Sequence, residues 1–499
     1  MEALNIHRGT ATRAAGILMP VASLPSKEGT GTLGREAHKF VDFLADMGIR
    51  IWQILPLNPL GYGNSPYQPF SSYAGDELYV DLALLRRAGY LRGEREAWVP
   101  GPDPGRIDYD RARRWKDCQL RRAYTVFRSE GCTEPEFWSF CKMEWVYPYA
   151  VFMALKRQNG LKCWNEWPRE QRDWILDRKY DLTHLEEEIG YQMFVQYLFY
   201  SQWMALKNYA NQKGVSILGD VPFYVGLDSM DVWSSREVFL LDADGRPTHV
   251  AGVPPDFFSK TGQRWGNPIY DWQKLAEKDF TFWVNRLKYS SRLYDIVRID
   301  HFRAFDTYWK IPASCPTAEE GEWVEAPGYD FFLELYRKIP GIRIVAEDLG
   351  DLRPEVLKLR DDLGLMGMNI AQFTLPGSEW SQEHQLIYTG THDNQTVRGW
   401  YAAMNSGDRR LLRQKLAKYG PAREHAYNLV LRYVFESKAA LAVVPLADIL
   451  GLDDGARLNT PGTVGSPNWQ WRLTGWRGLH DKRDFIRALV IRSGRAPGQ

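Results

Sequence analysis

Cysteine is scarce and never paired in sequence. Five occur in 499 residues (Cys118, Cys132, Cys141, Cys163 and Cys315), with no CxxC spacing. That excludes a disulfide scaffold or a cysteine-built zinc site and fits a reducing compartment. There is no HExxH helix, no Asp-rich calcium loop and no cluster among the 9 histidines, so neither a metal nor a cofactor is expected. Long Lys/Arg runs are missing and the formal net charge is +1, which argues against a nucleic-acid partner. No apolar run reaches the roughly 20 residues of a membrane helix. The opening stretch, residues 1–16, lacks the apolar centre of a secretory signal. A cytoplasmic protein that does not engage a membrane is the expectation. Internal repeats and low-complexity segments are also missing.

What the chain has in quantity is aromatic residues: 20 Trp, 26 Tyr and 22 Phe. Most must fill a large core, but flat rings with polar tips also suit the C–H faces and hydroxyls of sugars. Eight short apolar runs stand out, at residues 16–23, 49–57, 215–221, 295–299, 342–349, 367–373, 386–393 and 440–446. Helical patterns separate most of them, such as residues 35–47 with Phe40, Val41, Leu44 and Met47 on one face and Gly48 behind. Continuous apolar runs are the mark of parallel strands buried on both faces. Eight with helical crossovers predict a (β/α)8 barrel, with an open doubly wound sheet as the alternative. The expected organisation is a single barrel over residues 1–499. It carries mostly helical insertions at about 62–210, 225–275 and 305–340. Gly29-Thr-Gly-Thr-Leu-Gly34 matches GxGxxG, but residues 25–28 separate it from the preceding strand. It reads as a turn before a helix and not as a dinucleotide site.

The stretch Asp295-Ile-Val-Arg-Ile-Asp-His-Phe-Arg303 is the centre of the chain. Its apolar strand stops on charges, which are costly to desolvate unless paired or used. Four runs end in acids: Asp220, Asp300, Glu347 with Asp348, and Asp393. In a parallel barrel these converge on one mouth, where barrel active sites lie. Asp220 and Asp348 remain open to a purely structural reading as caps or ion pairs. Acids facing a cleft without metal ligands suit glycosyl transfer, one as nucleophile and one as proton donor. A carboxylate beside Arg298 and Arg303 is held ionised, which favours Asp300 as nucleophile. Partial burial near other acids should raise Glu347 so that it donates a proton, although the letters do not separate Glu347 from Asp348. His301, His392 and Arg298 adjoin the acids and read as donors to sugar hydroxyls, with a core role equally open for each histidine.

These residues resemble the ordered motifs of the α-amylase clan: Gly219-Asp-Val-Pro222, Arg298-Ile-Asp-His-Phe-Arg303, Ala346-Glu-Asp-Leu-Gly350 and Thr391-His-Asp-Asn394. More specifically, they resemble the 4-α-glucanotransferases, the amylomaltase or disproportionating-enzyme family. Longer blocks sharpen the likeness across nearly the whole chain. They are Gly63-Asn-Ser-Pro-Tyr-Gln68, Gly252-Val-Pro-Pro-Asp-Phe-Phe-Ser259, Thr261-Gly-Gln-Arg-Trp-Gly-Asn-Pro268, Trp323-Val-Glu-Ala-Pro-Gly328, Asn459-Thr-Pro-Gly-Thr463 and Asn468-Trp-Gln-Trp-Arg472. The resemblance implies a barrel with no C-terminal β-sandwich, and it implies Asp300 as nucleophile, Glu347 as acid/base and Asp393 as transition-state stabiliser. It implies a donor-sugar site lined by Tyr67, Asp220, Arg298 and His392, with His301, Trp265, Asn267 and Asn468 as further glucan contacts. Residues 252–267 resemble the family's mobile loop over the cleft. Asp76-Glu-Leu stands where the family pattern has Asn-Pro, a departure expected to touch only the packing of the insertion. The long N-terminal extension of some relatives is absent, so a separate glucan-binding module is not expected.

The implied reaction moves α-1,4-glucan segments between maltooligosaccharides through a covalent glycosyl-enzyme. A lid with Pro254, Pro255, Phe257, Phe258 and Trp265 would keep water from the intermediate. An α-glucan hydrolase of the same clan is the first alternative. A non-catalytic glucan-binding barrel is the second, and it predicts loss of at least one of the three acids, all of which are present.

Overall fold

The central run, Ile296–Ile299, is buried throughout and has β-branched residues at three of its four positions. A buried extended segment must satisfy its amides by pairing on both sides. The computed structural model describes residues 5–7, 11–93, 98–132, 134–255, 259–377 and 381–498. Among them the strands are, in chain order, β1 (Ala14–Leu18), β2 (Ile51–Gln53), β3 (Ser216–Val221), β4 (His249–Val253), β5 (Gln263–Pro268), β6 (Ile296–Ile299), β7 (Thr307–Pro312), β8 (Glu322–Glu325), β9 (Ile344–Ala346), β10 (Gly367–Ile370), β11 (Gln385–Tyr388) and β12 (Leu441–Pro445).

The eight strands of the larger sheet pair in the order β10-β11-β12-β1-β2-β3-β6-β9, and every neighbouring pair is parallel. A bridge from Val345 to Met366 joins β9 to the approach of β10, with the Ala346 N–H donating to the Met366 carbonyl at 2.8 Å. The sheet therefore curls into a (β/α)8 barrel, and each barrel strand grows from one of the apolar runs. Gly16 marks a close approach between strands of the ring. A Cβ there would lie 2.7 Å from Val443 and 2.8 Å from Ile51, on the two flanking strands.

The ladders are shorter than the apolar runs because the chain leaves the sheet as it reaches the barrel mouth. Pro20 ends the first run, and Val21–Ser23 forms a 3-10 turn. After β10 the chain turns directly into the helix Ala371–Thr374. The outer layer includes Arg35–Asp46, Thr281–Leu293, Gly328–Lys338, Pro354–Asp362 and Ala426–Glu436. The first of these buries Phe40, Val41 and Leu44, and Gly48 behind it takes φ 76°. Among the described residues no helix is long and apolar enough to cross a membrane.

Between β2 and β3 the described residues are helical, chiefly Tyr109–Ser129, Val146–Gln158 and Glu186–Gln212. At Asp76 the carboxylate accepts the Leu60 N–H at 3.0 Å and pairs with Arg113 at 3.1 Å. The departure at residues 76–78 thus packs the insertion against the loop after β2. The other two excursions differ from a helical reading. Residues from both meet in one four-stranded sheet of order β5-β4-β7-β8, antiparallel throughout. Val250, Ile311 and Ala318 form its own small core. Its strands mix polar and aromatic residues, and its two hairpins join only through the distant β4–β7 pair, so no local apolar signal marks them.

Candidate active site

Asp220 and Arg298 are direct partners in the register of β3 and β6. Parallel neighbours in register share a face, so the acid and the guanidinium meet side by side. Arg298 Nη1 donates to both Asp220 carboxylate oxygens, at 2.7 and 2.8 Å, and its Nη2 lies 3.0 Å from Asp300 Oδ1. One guanidinium thus bridges two acids. Burial opposes its charge, but Asp220 and Asp300 outweigh that and raise the Arg298 pKa. Burial pushes the Asp220 carboxyl upward, with Arg298 the main opposing influence. Asp220 is closed off from solvent, whereas the Asp300 side chain keeps 30% of its exposure. Of the two, only Asp300 can meet an incoming ligand.

The loop after β2 brings Tyr67 onto this pair. Its hydroxyl donates to Asp220 Oδ2 at 2.7 Å and lies 3.4 Å from His392 Nδ1. Burial, then Asp220, drive the Tyr67 pKa well up, so the phenol remains a neutral donor. The Tyr67 and His392 rings stack at 5.0 Å and 20°. Trp469 leans on both, at 5.8 and 5.9 Å. His392 Nε2 is 3.5 Å from Asp393 Oδ2. Asp393 is held from the other side by the segment after β12. Asn459 Nδ2 donates to Asp393 Oδ1 at 2.7 Å, while Arg457 donates to the Asp393 and Asn459 carbonyls, each at 2.7 Å.

The end of β9 separates the two neighbouring acids. Asp348 turns into the wall, accepting the Met368 N–H at 2.7 Å and pairing with Arg360. Glu347 turns the other way. Its Oε2 accepts the His301 N–H at 2.7 Å and its Oε1 the Leu349 N–H at 3.3 Å. Burial, and next the nearby charge of Asp300, push the Glu347 carboxyl up to about 8. Asp348 is thus committed to Arg360 and a backbone amide, whereas Glu347 is held by amides alone.

Other residues singled out in the sequence fall into place around this group. The His301 ring meets the Trp265 ring edge-on at 4.9 Å, which sets the small antiparallel sheet against the barrel mouth. Asn267 Nδ2 donates to the Val225 carbonyl at 2.9 Å, and its Oδ1 accepts from Gln68 at 3.1 Å. Asn468 accepts the Thr460 N–H at 3.0 Å and donates to Thr463 Oγ1 at 2.8 Å. Both asparagines, expected to contact glucan, have their amides engaged by protein and brace the loops beside the site. Arg303 corrects an expectation outright. It donates to the Asp351 carbonyl at 2.8 Å and stacks over Trp323 at 4.1 Å, away from Asp300, because the chain turns at His301. Of the lid residues, Phe257 and Phe258 lie outside the described residues. Asn459 and Arg457 are additions for which sequence reasoning assigned no role. Their only signal was the Asn-Thr-Pro-Gly-Thr block following the last strand. Among the described residues no group of three or more His, Cys, Asp or Glu side chains could hold a metal ion.

The arrangement brings together one ion-paired, partly exposed carboxylate, one partly buried carboxyl whose pKa is pushed up to about 8, and a third acid on a braced loop. Comparison with known proteins places nearly the whole chain in a family. Residues 19–478 match the family model described as 4-α-glucanotransferase. The chain is 44% identical over 482 residues to a 4-α-glucanotransferase from Thermus thermophilus, spanning 92% of this chain and 95% of that protein. It is 41% identical over 478 residues to one from Synechocystis, spanning 92% and 94%. The solved amylomaltase of Streptococcus agalactiae, in complex with acarbose, superposes with a TM-score of 0.92 at 35% identity, covering 97% of this chain and 100% of that one. The chain belongs to the 4-α-glucanotransferase family.

Proposed function

We propose that the enzyme moves segments of α-1,4-glucan from a donor to the 4-hydroxyl of an acceptor glucan or glucose by a retaining double displacement. The observation that carries this reading is the contrast between two neighbouring acids. Asp300 is ion-paired to Arg298 at 3.0 Å, while Glu347 is pushed up to about 8. A proton donor must hold its proton at the working pH, and the surroundings of Glu347 support that role.

In the first half-reaction an Asp300 carboxylate oxygen bonds to the anomeric carbon as its bond to the glycosidic oxygen breaks. That oxygen takes the Glu347 proton and leaves as the 4-hydroxyl of the released chain. In the second, Glu347 takes the proton of an acceptor 4-hydroxyl. The acceptor oxygen then bonds to the anomeric carbon, and Asp300 leaves as carboxylate. Two inversions restore the α configuration. Asp393, with His392 beside it and Tyr67 stacked on His392, binds ring hydroxyls more tightly as the sugar flattens, while Asp220 holds Tyr67 and Arg298 in place. The four-stranded sheet, through Trp265, would hold the acceptor and limit water at the intermediate. The substrates are α-1,4-glucans and maltooligosaccharides. The acarbose seen in the Streptococcus agalactiae relative supports this class. A cytoplasmic place of action completes the reading, since all five cysteines are free thiols.

Maltotriose tests transfer against hydrolysis. The enzyme should make glucose and longer chains with little gain in total reducing ends. A steady rise in reducing ends would establish a hydrolase instead. The pH profile is a second test. Attack needs Glu347 protonated, and its protonated fraction falls as pH rises through about 8. Hence kcat/KM should decline above about pH 8, and a profile that keeps rising past that point would contradict the assignment. A third prediction concerns Asn459→Ala, which removes the 2.7 Å bond to the half-exposed Asp393. A hydrogen bond to a charged group at the weak, solvated end of its range corresponds to roughly a tenfold loss in kcat. Steady-state kinetics on maltotriose would check it, with thermal unfolding to confirm an intact fold.

A further inference from the structure

His301 is where the strand carrying Asp300 turns, and it does so in a conformation that L residues avoid. Its backbone sits at φ 54°, ψ 47°, in the left-handed region. Such strain persists only where the surroundings over-determine it, and it gathers at working sites. Here it has a visible consequence. In an extended strand, successive N–H groups point to opposite sides. The left-handed residue sits between two consecutive amides and turns both toward one residue. The His301 N–H donates to Glu347 Oε2 at 2.7 Å, and the Phe302 N–H donates to the Glu347 carbonyl at 3.1 Å. The first of these amides reaches the carboxylate, and the second holds the same residue by its main-chain carbonyl. The imidazole is wedged among rings: Trp265 edge-on at 4.9 Å, Tyr224 at 6.2 Å and Phe223 at 6.5 Å. Burial, then Arg303, push that imidazole down to about 3, so it is a neutral packing group.

We propose that His301 is a positioning residue for the proton donor: its left-handed backbone aims the Glu347 carboxyl, and its ring, packed among Phe223, Tyr224 and Trp265, locks that backbone in place. This rests on the reading of Glu347 as acid/base and adds to it what holds the acid. The charged and titratable groups facing Glu347 are Asp300, Arg298 and Asp348. Of its two amide donors, the nearer is that of His301. Losing that N–H withdraws a bond that favours the ionised acid, so the alkaline limb of the pH profile moves to higher pH as turnover falls.

The test separates backbone from ring. Asn and Gly accept the left-handed region, whereas Val resists it. His301→Val should therefore turn over roughly tenfold more slowly than His301→Asn or His301→Gly, with its alkaline limb moved up and KM little changed. The Asn and Gly variants should keep the parent's limb, although all three melt earlier because the aromatic pocket is emptied. If Val does not fold, His301→Ala makes the same comparison. Equal losses in all variants with an unmoved limb would overturn the proposal and make the ring itself the working part. Glu347→Gln separates the two layers. A variant that still turns over removes the acid/base reading, whereas an inactive one with no Asn–Val ordering removes only the role of His301.

Discussion

Replacing Glu347 with glutamine is expected to lower transfer between maltooligosaccharides by about three orders of magnitude, within the range general acid–base catalysis supplies, while glucan binding survives. The amide matches the carboxyl in shape and still accepts the His301 N–H, so the geometry around residue 347 is kept. What disappears is the proton. The leaving oxygen must depart unassisted, and the acceptor hydroxyl has no base. A companion effect on stability follows from linkage. Glu347 has its folded pKa raised from 4.5 to about 8. The folded state therefore holds its proton better than the unfolded chain, and this contribution is full below about 4.5 and lost as pH rises through about 8. The glutamine variant carries no such loss. Thermal unfolding should show it gaining on the parent as pH rises through about 8. A variant with near-parental turnover would remove Glu347 from the mechanism.

The larger loss belongs to Asp300→Asn, where roughly four to six orders of magnitude in turnover are expected, as for other enzymes stripped of their nucleophile. The fold should tolerate the change. Arg298 keeps its two-oxygen contact with Asp220, so the buried guanidinium is not left without a counter-ion. Restoring a nucleophile from solution distinguishes the role from a structural one. With azide present and an α-glucosyl fluoride as donor, the truncated Asp300→Gly variant should yield the β-glucosyl azide, because the anion attacks from the space that the missing side chain leaves. The α-azide, or rescue without azide incorporation, would count against Asp300 as the attacking group.

How far all this could be read from the letters depended on whether a signal was local. The barrel strands were legible because burial on both faces demands continuous apolar runs, and the acids at their ends announced themselves by interrupting those runs. The sheet of β4, β5, β7 and β8 was not. Its pairings, such as His249 with Pro312, join distant segments, and its polar and aromatic residues look like loop. Glu347 and Asp348 were inseparable in sequence because adjacent residues at a strand end face opposite ways. Only Arg360 and the Met368 amide show which one is turned into the wall. Arg303 was read beside Asp300 because nothing about a histidine announces a left-handed turn. That turn at His301 carries Arg303 off to Trp323. Asn459 and Arg457 lie far along the chain from Asp393, and only the folded molecule brings them to it.

The central claim is that a covalent bond forms between the sugar and Asp300. A 5-fluoro-α-glucosyl fluoride, whose good leaving group needs no proton and whose ring fluorine slows release, should trap that state in the Glu347→Gln variant. Peptide mass spectrometry is expected to find one fluoroglucosyl unit on Asp300 of that variant, and the parent enzyme given the same donor with maltotriose should release an α-linked product. No adduct, an adduct on another residue, or a β-linked product would contradict the account.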